Sequence, residues 1–380
     1  TPNKENNVFQ LVVQYGAGER EFPKLGYAAQ LMNNAGIMGA YEPQELKEEL
    51  SKLNATCHVT ADDDNLYIIM EGYEATLPQA CQLLSRQILM PKLDEKQLAR
   101  LKGSAMGMRQ QRKDNVSILN EALRQYMLYG EKSDYIKELT DKEIYELQIS
   151  ELTGDINRAS NYEAKVFFTG TLPFDQVYDI LSKNLPLVGN ERPSNSPQAK
   201  DMMPVTENTV YFLPNNDAEQ AQIHLYIPMQ KADKKDDVLR SAFNQYFGLD
   251  FTGIVLNEIR EKRSMAYTAY AFVGTQGIAG KASYLRGYIG TQNDKANDAL
   301  DVLMGLVNDM PKNPERIDNI KSYLRQAMLT SHPSFRNKAM ELVDLGYRGY
   351  TDDPAKENLP KVDALTFDDI VKFYEENIKD

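Results

Sequence analysis

Apolar and polar positions alternate along Val8 to Tyr15, and at Leu25 to Asn34 the spacing becomes helical. A change of period from 2 to 3.6 marks a strand followed by a helix. The same reading predicts a helix over 43–53 that opens on Pro43, strands over 57–60 and 65–72, and a helix from Pro78 to Met90. A long amphipathic stretch follows from Asp94 towards Tyr129, then helices across 141–160, a strand at 166–170 and a closing helix over 174–183. Beyond residue 208 the pattern predicts strands near 209, 222, 266–274 and 282–290, with helices over 236–247, 293–310, 313–331, 335–349 and 367–377.

One segment recurs. Pro2-Asn3-Lys4-Glu5 feeds the first β-rich run as Pro214-Asn215-Asn216-Asp217 feeds Ala221 to Ile227, and each run then gives way to helical spacing. Two related domains in tandem account for this, over 1–190 and 208–380, joined by a linker at 191–207 that holds Pro193, Pro197 and Pro204 among Asn and Ser. Strands grouped with longer helices argue for an α+β fold in which each domain has a mixed or antiparallel sheet with helices mainly on one face. The second copy has a further strand before its turn, Asn208 to Leu213, and the first copy does not. A hairpin missing one arm leaves an open sheet edge, so the chain is expected to be a piece of a longer one, with the missing strand upstream.

Composition narrows the classes. Apolar residues make up 42% of 380, enough for a core in each domain, and no window reaches the roughly 18 apolar residues a membrane helix needs. With 43 basic and 55 acidic residues the net charge of -12 repels a phosphate backbone, which argues against nucleic acid as a partner. The opening residues are polar and turn-like, without a signal segment. Cys57 and Cys81 have neither framework nor zinc spacing and read as idle thiols, which leaves the compartment open between periplasm and cytoplasm.

Most catalytic patterns are absent. His58, His224 and His332 have no H-x-x-x-H, H-x-x-E-H or H-x-E partner spacing; the first two read as satisfied strand histidines and the third precedes Pro333 in a turn. Gly274 to Lys281 has one residue too many for a phosphate loop and lacks the following hydroxyl. No G-x-S-x-G occurs. Asp62 and Asp63, and the charge run from Lys231 to Asp237, read as solvated turns. What stands out is Leu256-Asn257-Glu258-Ile259-Arg260-Glu261-Lys262-Arg263-Ser264-Met265-Ala266-Tyr267, a helix with a basic end that passes into an alternating strand. Taken alone, Arg260 could satisfy helix carbonyls and Tyr267 could pack on a sheet.

This segment resembles the L-x-x-x-R-E-x-x-x-x-A/G-Y pattern in the C-terminal halves of the insulinase/pitrilysin family of zinc peptidases. The resemblance implies that Arg260 and Tyr267 bind substrate near the scissile bond, reaching from a half that carries no metal. The family's catalytic G-x-A-H-x-x-E-H motif aligns with Gly26 to Asn33, so that Ala29 and Asn33 replace the histidines and Met32 the general base; further on, Gly107 replaces the metal-binding Glu. Without two imidazoles and a carboxylate there is no ligand shell to activate a water. The resemblance thus implies no catalytic residue and no metal in this chain. Zinc is expected in a catalytic half, either upstream in the same polypeptide or in a separate subunit, with a peptide as substrate. Two other functions compete with this half of a clamshell peptidase: a structural or assembly subunit with the same fold and no proteolytic role, and an isolated enzyme of other chemistry.

Overall fold

The computed structural model describes residues 6–113, 115–185, 192–215, 218–249, 251–331 and 333–379. Its strands are β1 (Val8–Tyr15), β2 (Gly36–Ile37), β3 (Thr56–Ala61), β4 (Leu66–Tyr73), β5 (Pro91–Lys92), β6 (Ala164–Thr169), β7 (Gln220–Lys231), β8 (Ala266–Thr275) and β9 (Ala282–Gln292). The helices up to residue 184 are α1 (Leu25–Met32), α2 (Pro43–Lys52), α3 (Leu77–Leu89), α4 (Glu95–Lys113), α5 (Val116–Tyr129), α6 (Asp134–Lys137), α7 (Asp141–Glu146), α8 (Ile149–Ala159) and α9 (Phe174–Asn184). Those that follow are α10 (Asp237–Phe247), α11 (Ile254–Leu256), α12 (Ala296–Asn308), α13 (Ile317–Thr330), α14 (Lys338–Tyr347), α15 (Pro354–Ala364) and α16 (Phe367–Asn377). The architecture is α+β.

The chain divides into two compact units. The first is Thr1–Asp114 with Glu138–Gln198 and Pro333–Leu342; the second is Asn115–Lys137 with Ala199–His332 and Val343–Asp380. In the first, an antiparallel sheet runs in the order β3-β4-β1-β6, with Val12 opposite Ile69 on one side and Phe167 on the other. Phe9, Leu11 and Val13 of β1 and Leu66, Ile68 and Met70 of β4 bury one face in a core shared with Leu25 and Leu31 of α1 and Leu77 and Leu84 of α3. The alternation seen in the sequence is this face. Strands β2 and β5 form a separate two-stranded pair.

In the second unit the order is β7-β9-β8, again antiparallel. Leu285 and Ile289 of β9 and Ala269, Ala271 and Val273 of β8 face a core filled by Phe243, Tyr246 and Phe247 of α10, Leu303 of α12 and Tyr374 of α16. Two of these rings also close a loop. The Tyr246 hydroxyl donates to the Pro311 carbonyl and accepts the Asn313 N–H at 3.0 Å, while the Tyr374 hydroxyl donates to the Val307 carbonyl at 2.8 Å and accepts the Met310 N–H at 3.2 Å. Capping boxes open α2 (Glu42/Glu45), α7 (Thr140/Glu143) and α16 (Thr366/Asp369) and satisfy N–H groups that a helix start leaves bare.

Several expectations are corrected. Asn208 to Leu213 is not a strand: among the described residues no strand pairs with it, and Val210 and Phe212 stand 89% and 83% exposed. A strand exists only through a partner, and β7 is bonded on one side alone, to β9. The amphipathic stretch from Asp94 is two helices, α4 and α5, and α5 belongs with the second unit because it packs on β7. The part of the linker that is described is hydrogen-bonded rather than loose. The Glu163 N–H donates to the Arg192 carbonyl at 2.8 Å, Asn195 N–H to Gly16 at 2.8 Å and Met203 N–H to Leu128 at 2.8 Å. Helix α15 escaped the periodic reading because Pro360 sits inside it, and a proline usually ends a helix. Asp237, at the end of the charge run, is held by the Tyr350 hydroxyl at 2.7 Å, by Arg240 and by Arg348 at 3.5 Å, so it is not a solvated turn residue. The expected turns at Pro2 to Glu5 and at Asn216 and Asp217, residues 186–191 with the first residue of the linker, and His332 lie outside the described residues.

Candidate functional site

The segment from Gly253 to Tyr267 is irregular throughout. Ile254, Val255 and Leu256 are all buried and make one α-turn, after which Asn257–Glu261 winds as a π-helix anchored by buried Ile259. The wider π turn is rare and concentrates at functional positions, because it re-aims side chains that an α-helix would place elsewhere. The chain then reverses through Ser264 at φ 50, where the Ser264 N–H donates to the Arg260 carbonyl at 2.8 Å and the Met265 N–H to Ile259 at 3.0 Å. Strand β8 starts with a slip of register: Ala266 faces Thr291 and Thr268 faces Gly290, which leaves Tyr267 in a bulge. A bulge turns a side chain out of the regular pleat.

Both sequence candidates are therefore presented by deviations from regular backbone. Tyr267 is 60% exposed, and the Arg260 side chain is 43% exposed. Arg260 has a 3.5 Å contact from Nε to Glu261 as its side-chain ion pair among the described residues. The neighbouring cations are engaged more closely. Glu258 takes Lys262 at 2.6 Å and Arg263 at 2.5 Å, and these hydrogen bonds, Arg263 foremost, hold its carboxyl below the usual carboxylate range. Of the basic run, Arg260 keeps a donor fork open to solvent. The Glu258 clamp was readable in the sequence as an acid four residues ahead of a lysine on one helix face.

The four positions that the resemblance sets against metal-site residues lie in the first unit. Ala29 and Met32 are buried in α1, within the core. Asn33 uses its whole amide on β3: Nδ2 donates to the Val59 carbonyl at 2.8 Å and Oδ1 accepts the Val59 N–H at 2.7 Å. Gly107 on α4 has open space where a Cβ would stand. Among the described residues no group of three or more His, Cys, Asp and Glu is placed to hold a metal ion. Nor does any helix among them have the length and apolarity to cross a membrane.

Each unit has an antiparallel sheet with helices, and the second carries the irregular Arg/Tyr segment. Residues 160–324, under half of the chain, match the family model described as the peptidase M16 inactive domain, and this stretch is similar to the C-terminal side of insulinase/pitrilysin-like M16 peptidases. The solved inactive domain of an M16 peptidase from Pseudomonas fluorescens superposes with TM-score 0.73 at 17% identity, covering 99% of this chain and 91% of that one. The periplasmic protease PqqL from Escherichia coli superposes with TM-score 0.74 at 14% identity over 98% of this chain, and the ferredoxin protease FusC, solved with Arabidopsis ferredoxin, with TM-score 0.74 at 12% identity over 97%. This chain spans only 42% and 41% of the length of those two proteases. At these identities the likeness is one of fold. No curated protein matches the chain.

Proposed function

We propose that this chain is the non-catalytic half of a clamshell zinc metallopeptidase, which encloses a peptide and positions it for a metal-bearing half carried in the same polypeptide or by a separate subunit. The observation that carries the reading is the exposure of Arg260 on a π turn and Tyr267 on a bulge, inside the stretch that matches the inactive domain. A guanidinium fork offers a permanent charge to a carbonyl or developing oxyanion, and a phenol adds a second donor. In this reading zinc belongs to the other half, and Ala29, Met32, Asn33 and Gly107 have passed to structural work. The two units are homologous copies, a reading supported by their sheets: hairpin β3/β4 lies beside β1 as hairpin β8/β9 lies beside β7. FusC, solved in complex with ferredoxin, supports a polypeptide as the substrate class.

The test is reconstitution. The chain is mixed with its metal-bearing half, and peptide turnover is compared for wild type, Arg260→Ala and Tyr267→Phe. Loss of one donor to a developing oxyanion costs about 100-fold or more in rate in enzymes where it has been removed, so Arg260→Ala is expected to lose at least about tenfold, and Tyr267→Phe less. Wild-type turnover from both variants would overturn the role of these residues and favour the structural or assembly subunit.

A further inference from the structure

The second sheet has a face turned away from its core, and that face is aromatic. The register sets His224, Tyr288 and Tyr270 in one row and Tyr226, Arg286 and Phe272 in the next. His224 and Tyr288 lie 5.2 Å apart between ring centroids, and Tyr288 stacks on Tyr270 at 5.2 Å. Arg286 reaches over both Tyr270 and Phe272 at 5.9 Å. Helix α5 packs against β7, and residues 200–211 run alongside the helix. Met203 N–H donates to the Leu128 carbonyl at 2.8 Å while its own carbonyl accepts the Tyr226 hydroxyl at 3.3 Å; Lys132 pairs with Asp201 at 2.7 Å, and the Tyr211 ring meets Tyr126 at 5.4 Å.

One side-chain hydrogen bond joins α5 to the sheet among the described residues: Asn120 Oδ1 to His224 Nε2, at 2.7 Å. With the amide oxygen accepting, the proton sits on Nε2 and Nδ1 is bare. Nδ1 is buried and has no partner. The charged groups facing it are Arg286 from β9 and Arg124 and Glu121 from α5. Glu121 is already engaged, since it holds Arg124 through two N–H groups and accepts from Gln125 at 3.1 Å. Other titratable groups on these surfaces include the tyrosines at 226, 270, 284 and 288 of the sheet, Tyr126 and Tyr129 of α5, Tyr211, and the ion pairs Lys132–Asp201 and Lys200–Asp134, the Lys200 ammonium lying 5.4 Å from the Tyr129 ring. A proton on Nδ1 would create a buried donor without an acceptor, close to two guanidiniums.

We propose that α5, with the segment alongside it, is an acid-sensitive cover on the aromatic face of this sheet, released when His224 takes up a proton. Burial, then Arg286 and Arg124, lower the His224 pKa to about 4 in the docked state, whereas in a released state it returns towards the ordinary value of about 6.5. The released state thus binds more protons between these values. Docking is at full strength above about pH 6.5 and weakens by up to roughly tenfold per pH unit as the pH falls towards 4. The inference concerns this chain alone and does not rest on the peptidase reading.

Hydrogen exchange on the full chain tests it, with rates corrected for intrinsic pH dependence and α10 as internal reference. Between about pH 6 and about pH 4.5, protection of α5 is expected to fall at least tenfold while α10 holds. In His224→Gln, which keeps an N–H for Asn120 and cannot be protonated in this range, α5 protection is expected to stay level. Constant α5 protection in wild type, an equal fall in His224→Gln, or a parallel fall in α10 would each overturn the proposal. Should His224→Gln not fold, the His224 ring resonance in wild type decides. Titration together with loss of α5 protection supports the cover, and titration with α5 still protected overturns it.

Discussion

Asn33 and Val59 form a closed pair: the amide of Asn33 donates to the Val59 carbonyl at 2.8 Å and accepts the Val59 N–H at 2.7 Å. The residue just past the C-terminal end of α1 thereby fastens the helix to the edge strand β3. Asn33→Ala removes both bonds and leaves a donor and an acceptor on buried Val59 without partners, at a cost of about 2 kcal/mol. The urea midpoint should fall with the slope unchanged. An unchanged midpoint would show the pair to be idle.

The two tyrosines that close the loop after α12 offer a second measurement. Tyr374→Phe keeps the ring in the core but strands the Val307 carbonyl and the Met310 N–H, so a loss of about 1–2 kcal/mol is expected. Tyr246→Phe should cost a similar amount, and the double variant should depart from additivity, since both hydroxyls hold the same loop. Chemical denaturation of the four proteins completes the cycle.

Gly36 admits no side chain. A Cβ built there would come 2.3 Å from the Tyr41 carbonyl oxygen and 2.9 Å from the Glu42 carbonyl carbon, and main chain cannot swing aside as a flexible side chain would. Gly36→Ala is expected to cost about 2–3 kcal/mol. Gly107→Ala, made in open space on α4, should cost no stability and gain up to about 1 kcal/mol from helix propensity. Thermal melts of the two variants should separate clearly.

Alkaline conditions should destabilise the fold. Burial pushes the thiols of Cys57 and Cys81 and the phenol of Tyr15 up to about 12. Their folded values lie above the unfolded ones, so their contribution is complete below about pH 8.5 and is lost as the pH rises through 9 to 12. Each group contributes up to about 1.4 kcal/mol per pH unit once its unfolded form ionises. The denaturation midpoint should decline above about pH 9, and alkylation of Cys81 at pH 8 should be slow in the native protein and fast in urea.

Arg260 and Tyr267 should be dispensable for folding. Both are largely exposed, and Arg260 makes a long contact to Glu261 as its ion pair among the described residues, so Arg260→Ala and Tyr267→Phe are expected to leave stability within about 0.5 kcal/mol. A melt that drops by several degrees would mean that they support the fold, and any loss of turnover in the reconstitution would then have a structural cause.

Elements with a clean period were legible in the sequence. The alternation of Val8 to Tyr15 became β1 and the helical spacing after Asp236 became α10, because burial of one face is written into the order of apolar residues. Proline and pairing set the limits of that reading. Helix α15 continues through Pro360, and Asn208 to Leu213 has strand composition without a strand to bond to. The candidate pair Arg260 and Tyr267 was legible through the segment's resemblance, whereas the π turn and the bulge that expose it were not, since the bulge depends on register against β9 and the π turn on burial of Ile259.

From the order of residues alone came the α+β class, the two β-to-helix runs and the basic helix-to-strand segment. Those are local properties, set by periodicity and residue chemistry over a few turns of chain. Only the tertiary structure decided that α5 leaves the first half of the sequence to cover the second sheet, that Asn33 is spent on Val59, and that His224 is satisfied at one nitrogen and bare at the other. Each of these depends on which distant groups meet in a low-dielectric interior, where an unpaired donor or acceptor costs more than local propensity can offset.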